Sequence, residues 1–204
     1  MDATNAVRVL TVDDLDLAID LLVPAMREAA LNEWLLGEWS DDSEVQRWLI
    51  ELKLLESLRA GYVLGGFDRA DLVGVLMWTP PEPFKPVPEP RFQRRSLELL
   101  KTRPQLVQRL AEFQRIDAEN RRQRPPVAVA LVGRAPRARG TDMMAKLLAP
   151  VFDAARAARS GVWFATASPD FGASWGRRFG FEPDGEYVIG PVTMHVFLKP
   201  YEAT

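Results

Sequence analysis

Apolar residues change their period several times along this chain. Residues 7–10 read as a short strand, after which Leu15, Ile19, Leu22 and Met26 recur at helical spacing behind Thr11, Asp13 and Asp14, which open the helix. Pro24 predicts a bend in it. A turn holding Trp34, Gly37 and Trp39 leads to a second helix with Ser40 and Asp41 as caps, Val45, Trp48, Leu49, Leu55 and Leu58 as its apolar positions, and Gly61 as its end. Two apolar stretches, 62–67 and 72–78, flank Asp68-Arg69-Ala70-Asp71 and predict an antiparallel hairpin.

Six prolines between positions 79 and 90 remove backbone donors and mark a connector. Helices are expected over 92–100 and over 103–119, the second with Leu106, Leu110 and Phe113 on one face. Residues 127–132, Val-Ala-Val-Ala-Leu-Val, lack alternation and so predict a strand buried on both faces, central in its sheet. After a basic turn, Met143/Met144, Leu147/Leu148, Val151/Phe152 and Ala155 form a helix with Gly161 as stop signal. Residues 162–166 predict a strand, 171–179 a helix ending at Gly180, and 186–189 and 192–198 two closing strands. Ser168-Pro169-Asp170 reads as a helix start, since the glycines of a nucleophile elbow are absent. The pattern predicts an α/β (α+β) architecture: one domain over 1–204, a mixed sheet of about seven strands flanked by helices, and a helical insertion at about 91–122 before the central strand.

The richest chemistry lies where the central strand hands Gly133-Arg134-Ala135-Pro136 and then Arg137-Ala138-Arg139-Gly140-Thr141-Asp142 to the helix at Met143. A strand, a basic glycine-bearing turn and a helix N-terminus together make an anion site, because the first helical N–H groups lack partners and the macrodipole favours negative charge. The charge distribution agrees. The chain carries a net charge of −2, yet between positions 121 and 178 eleven Lys and Arg stand against three Asp, so this stretch is basic and the remainder acidic. A pI near 5.6 argues against nucleic acid as partner, and the basic stretch suits a small polyanion.

Cysteine is absent, which removes disulfides, thiolate metal sites and a cysteine nucleophile, and one histidine leaves no histidine cluster for a metal. No metal is expected. The first residues lack the basic and apolar regions of a signal peptide, and no apolar run approaches the roughly 20 residues of a membrane span, so a cytoplasmic protein without membrane contact is expected.

The order of elements, with Gly133 and Pro136 before the turn, Leu147-Leu148-Ala149-Pro150 in the helix and Arg178-Phe179-Gly180-Phe181 after the next, resembles the GNAT superfamily of acyl-CoA-dependent N-acyltransferases over nearly the whole chain. The resemblance implies acetyl-CoA or another acyl-CoA as cofactor, a small-molecule amine as acceptor, and room for a homodimer. It implies that the strand from Val129 to Gly133 lends backbone groups to the pantetheine arm, with Leu131, Val132 and Gly133 as its cofactor-binding residues, and that Arg134, Arg137, Arg139, Gly140, Thr141, Asp142, Met143 and Met144 surround the pyrophosphate. The family pattern there is Gln/Arg-x-x-Gly-x-Gly/Ala, and two registers fit. One puts Arg139 first with Asp142 and Met144 at the glycines; the other puts Arg137 first with Gly140 and Asp142 at them. In both, Asp142 stands where glycine would let backbone approach phosphate. Thr141 or Asp142 can also cap the helix and occupy the donors that an anion would use.

The tyrosine that many members place four residues before the glycine of the Gly-Phe pair is here Gly176, beside Trp175, and neither the asparagine at that helix start nor a carboxylate on the central strand is present. Proton transfer therefore falls to His195, the one imidazole of the chain, as a candidate base, and to Tyr187 as a candidate donor. Glu28, Trp34, Trp78 and Trp175 are candidates for the acceptor pocket, with Trp39 beside them. Three readings stay open: an acyltransferase with a split between the central strand and the strand at 162–166; a scaffold that has lost transfer and serves as a binding or regulatory module; and a pocket around His195 running other chemistry on a small metabolite.

Overall fold

The computed structural model describes residues 6–27, 29–82, 84–85 and 89–202. Its elements run β1 (Ala6–Val9), α1 (Leu15–Met26), α2 (Ala30–Leu36), α3 (Ser43–Ala60), β2 (Val63–Asp68), β3 (Asp71–Thr79), α4 (Pro90–Lys101), α5 (Pro104–Arg121), β4 (Val127–Arg134), α6 (Met143–Ala157), β5 (Val162–Thr166), α7 (Pro169–Phe179), β6 (Glu182–Ile189) and β7 (Val192–Lys199). The strands form one mixed sheet in the order β1-β2-β3-β4-β5-β7-β6, with β4 in the middle as its unbroken apolar run requires. All neighbours are antiparallel except β4 and β5.

Helices cover both faces. On one face α1 and α3 bury Ile19, Leu22, Ile50, Leu54 and Leu58 against Val63, Val75 and Leu131. On the other, α6 and α7 bury Met143, Met144, Leu147, Val151 and Trp175 against Leu76, Val127, Val129, Phe164 and Phe197. α3 is apolar on a second side as well: Val45, Trp48 and Leu49 meet Leu35 and Leu36 of α2, Leu99 of α4, and Leu106 and Leu110 of α5. The Trp48 indole N–H donates to Ser96 Oγ at 2.9 Å within that cluster. The inserted pair α4–α5 thus has its own small core, and the last turns of α5 lay Phe113 and Ile116 on Ile189, Val192 and Met194.

Four local readings are corrected. The segment with Trp34 forms α2 instead of a simple turn, because Leu35 and Leu36 find a core to enter. The α3 cap is Asp42, whose carboxylate accepts from the N–H groups of Glu44 and Val45, not Ser40 or Asp41. α6 stops before Gly161, with Arg159 in the left-handed region at φ +50°. β6 starts at Glu182, four residues earlier than its apolar pattern suggests, since its exposed first half pairs with β7 through the backbone. Gly61 and Gly180 adopt the left-handed caps expected of them, at φ +80° and +78°.

Candidate functional site

The site begins with two irregularities of β4. Met77 pairs with Leu131 but Trp78 pairs with Val129, so Ala130 is one extra residue, a β-bulge. The bulge turns the strand over: Val127, Val129 and Val132 pack toward α6, whereas Leu131 faces the α1–α3 side. A side chain at Gly133 would strike Leu22 of α1. β4 also parts from β5, since only Val127 with Val162 and Ala128 with Trp163 are paired. Beyond them the two parallel strands diverge into a split, and Ala130, Ala165 and Thr166 keep partial exposure beside it.

At the wide end of the split the chain turns through Pro136–Ala138 and Gly140, at φ +80° and with open space where a Cβ would stand, into α6. Thr141 Oγ1 accepts from the Met143 N–H at 3.3 Å. Among the described residues the N–H groups of Met144 and Ala145, next in that first turn, have no acceptor. Asp142 does not cap; its carboxylate turns aside to Lys146 Nζ at 3.0 Å. Three guanidinium groups converge here. Burial, and then repulsion from Arg139 and Arg178, push Arg134 below the usual arginine range. Arg178 donates from α7 to the Thr141 carbonyl at 2.6 Å. Arg137 is turned to Asp71 at 2.8 Å, an exposed pair of little energetic weight. A groove of about 590 Å³ opens beside the turn, walled by Leu17, Leu21 and Pro24 of α1 and by Arg134, Arg137 and Arg139. Free helix donors beside Arg134, Arg139 and Arg178, which have no carboxylate partner among the described residues, fit a phosphate group.

No protein-family model matches the sequence, and no curated protein matches it. Solved structures do. Polyamine N-acetyltransferase of Drosophila melanogaster, which forms N-acetylagmatine, superposes with a TM-score of 0.62 over 96% of this chain and 99% of its own, at 14% identity. A Corynebacterium glutamicum protein, histone acetyltransferase HPA2 and related acetyltransferase, gives 0.63 at 20% identity with 98% of each chain covered. An acetyltransferase of the GNAT family from Bacillus cereus gives 0.50 at 11% identity, over 98% of this chain and 99% of its own. The chain has the GNAT fold.

Within this GNAT fold the remaining predicted residues divide between the two sheet faces. Tyr187 packs on Ala165, Met194 and Trp163 on the side of α5; burial, with Asp117 nearby, pushes its hydroxyl up to about 12. Trp34 lies on the same side, between α2 and the β6–β7 turn, where a side chain at Gly190 would meet its indole. His195 alternates with buried Met194 and Val196 and so faces the other way, with Nδ1 2.7 Å from Glu186 Oε1. His195 and Tyr187 therefore do not share one pocket. Trp78 packs edge-on against Tyr62 on the α6 side. Trp175 is 5% exposed among Phe164, Phe171, Phe179 and Phe181. Such packing makes it a core residue. Met143 and Met144 are buried in the same core and offer backbone only. Gly176 is glycine for a steric reason, since a Cβ there would meet the Phe181 carbonyl at 2.6 Å. Glu28 lies outside the described residues.

Three contributors escape sequence reading: Arg178 at the turn, and Lys53 and Asp117 on the Tyr187 side. Lys53 sits on a helix whose other residues read as ordinary core and surface, and Asp117 as one acid on a charged helix. Only the packing of α3 beside α5 brings them together. Among the described residues no three acidic or histidine side chains gather as a metal site, and no helix is long and apolar enough to cross a membrane.

Proposed function

We propose that this protein is an acyl-CoA-dependent N-acyltransferase acting on a small-molecule amine. The observation that carries the reading is the split between β4 and β5, ending at free α6 N–H groups under Arg134, Arg139 and Arg178. The likeness to a fold in which a polyamine acetyltransferase is found supports an amine acceptor. When bound, acyl-CoA supplies an acyl group activated as a thioester. Arg134, Arg139, Arg178 and the α6 N-terminus hold its phosphates, and the backbone of residues 131–133 aligns the pantetheine arm along β4. Tyr187 keeps its proton at neutral pH, so it serves as donor to the departing sulfur and not as base. Its side of the sheet, with Trp34 and Phe113, receives the amine, and positioning across the split supplies much of the rate. His195, held by Glu186 on the opposite face, is left outside the acceptor side.

Calorimetric titration with acetyl-CoA at low and moderate salt tests the cofactor. Salt-sensitive binding with a Kd of about micromolar order is expected; none up to millimolar CoA overturns the reading. Thiol release with a panel of amines then tests transfer. Tyr187→Phe should lower kcat by about tenfold to a hundredfold with acetyl-CoA affinity unchanged.

A further inference from the structure

On the Tyr187 side of the sheet the fold holds a charge that it does not balance. Lys53, midway along α3, is partly buried; its Nζ lies 3.3 Å from Asn32 Oδ1 and 5.9 Å from the centre of the Phe113 ring. Among the described residues no carboxylate lies within ion-pair distance of it. Asn32 is itself buried and spends its amide N–H on the Met26 carbonyl, so its carbonyl is fixed toward Lys53. Asp117, the acid that most influences Lys53, is already paired with Arg121 Nε at 2.6 Å, and Arg121 reaches on to Thr79 Oγ1 at 3.2 Å. Arg124 is paired with Asp184. The local sum is two cations, Lys53 and Arg121, against one anion, Asp117.

Desolvation lowers the Lys53 ammonium to about 8, with Asp117 pulling the other way. A lysine placed only to pack would reach its ammonium out to water, and methionine would fill the same space without this penalty. The Phe113 ring beside it belongs, with Trp34, Ile116 and Tyr187, to one apolar cluster laid on Ile189, Val192 and Met194. A polyamine would bring a second cation against Lys53 and Arg121. A molecule with a carboxylate beside its amine would bring the missing anion and leave its apolar part for that apolar cluster.

We propose that Lys53 receives the carboxylate of the acceptor, and that the acceptor is an amino acid with an apolar or aromatic side chain and not a polyamine. The inference rests on the acyltransferase reading above. In the transfer the amine nitrogen forms a bond to the acyl carbon, the carbon–sulfur bond breaks, and one amine proton ends on the departing sulfur. Lys53 takes no part in that exchange; it is a specificity residue.

The test uses the full chain, acetyl-CoA, and matched probes that differ by the carboxylate alone: phenylalanine against 2-phenylethylamine, and leucine against isoamylamine, with agmatine as the polycation. The expected kcat/KM favours the amino acid of at least one pair by about tenfold or more. Lys53→Met should raise its KM by about tenfold with kcat within about twofold, leave the decarboxylated amine unchanged, and be partly rescued by Lys53→Arg. Equal or better use of the simple amines or agmatine overturns the proposal, as does a Lys53→Met effect that is the same on both members of a pair. Failure of acetyl-CoA to bind sinks the acyltransferase reading by itself. Calorimetry with the amino acids alone then decides the role of Lys53: binding abolished by Lys53→Met upholds it, and no binding overturns it.

Discussion

Arg178 and Thr141 are joined across the mouth of the split by a 2.6 Å hydrogen bond from the guanidinium to the backbone carbonyl, so the last turn of α7 steadies the turn that precedes α6. The same guanidinium adds to the positive field felt by Arg134. Arg178→Ala removes both effects. Acetyl-CoA affinity should fall by about tenfold at low salt and by less at high salt, as charge-assisted contacts to phosphate require. Calorimetry at two ionic strengths measures the fall, and far-UV circular dichroism checks that the fold is intact.

Asp142 and Met144 occupy the same turn but answer to different forces. The Asp142 carboxylate is exposed and paired with Lys146, so Asp142→Asn frees that lysine and removes one negative charge near the anion site. Binding of acetyl-CoA should tighten by about threefold to tenfold, with stability changed by no more than about 0.5 kcal/mol. Met144 is 4% exposed in the core under the sheet. Met144→Gly should cost about 3 kcal/mol or more by urea denaturation, through the cavity and the flexible backbone, with no gain in affinity.

Lys53 should set a pH dependence of stability at alkaline pH. Burial lowers its folded value from 10.5 to about 8, against which Asp117 pulls upward. Between about pH 8 and 10.5 the unfolded chain then binds more protons than the folded one, so this residue makes stability rise with pH across that window. Below it the penalty is present in full. Lys53→Met should accordingly be more stable than the parent at pH 7, by about 1 kcal/mol, and the advantage should shrink above about pH 8. Urea denaturation at pH 7 and pH 10 reads the difference.

Asp14 should act at the acid end. The hydrogen bonds from Arg8, at 2.7 and 2.8 Å, hold its carboxyl at about 2, helped by the Thr11 N–H at 2.9 Å. A lowered carboxyl stabilises the fold above its unfolded value near 3.8 and loses that contribution as pH falls through about 2. Because the Arg8 side chain is half exposed, the contribution is about 1 kcal/mol. Asp14→Asn should show this deficit at pH 6, and the gap to the parent should close as pH is lowered from about 4 toward 2.

Much of the architecture is written locally. The apolar positions of α3 and α6 recur at helical spacing over several turns, and residues 127–132 have no polar position to alternate with, so these elements follow from the chain itself. The anion end is legible for the same reason, since the turn, its arginines and the helix start are contiguous. The acceptor side is not. Lys53, Asp117, Tyr187 and Trp34 come from α3, α5, β6 and α2, and nothing in their neighbouring residues marks them. The bulge at Ala130 is equally hidden, because in a run of apolar residues one extra member changes no pattern. Without the bulge, strict alternation assigns Leu131 to the same face as Val129, which the packing reverses.

That extra residue works as a half-turn joint in an otherwise regular strand. On the near side of Ala130, odd-numbered residues of β4 look toward α6; on the far side, even-numbered ones do. Absorbing Ala130 into the regular ladder with β3 would turn everything downstream to the opposite face, driving Val132 into the space that Gly133 leaves for Leu22 and turning the glycine, with no side chain to give, toward α6; deleting Ala130 outright would restore strict alternation and keep each of those residues where it is. The placement of the basic turn thus depends on a parity count: a one-residue register slip at Ala130 would carry the whole turn to the other side of the sheet, whereas the bulge holds it where it is.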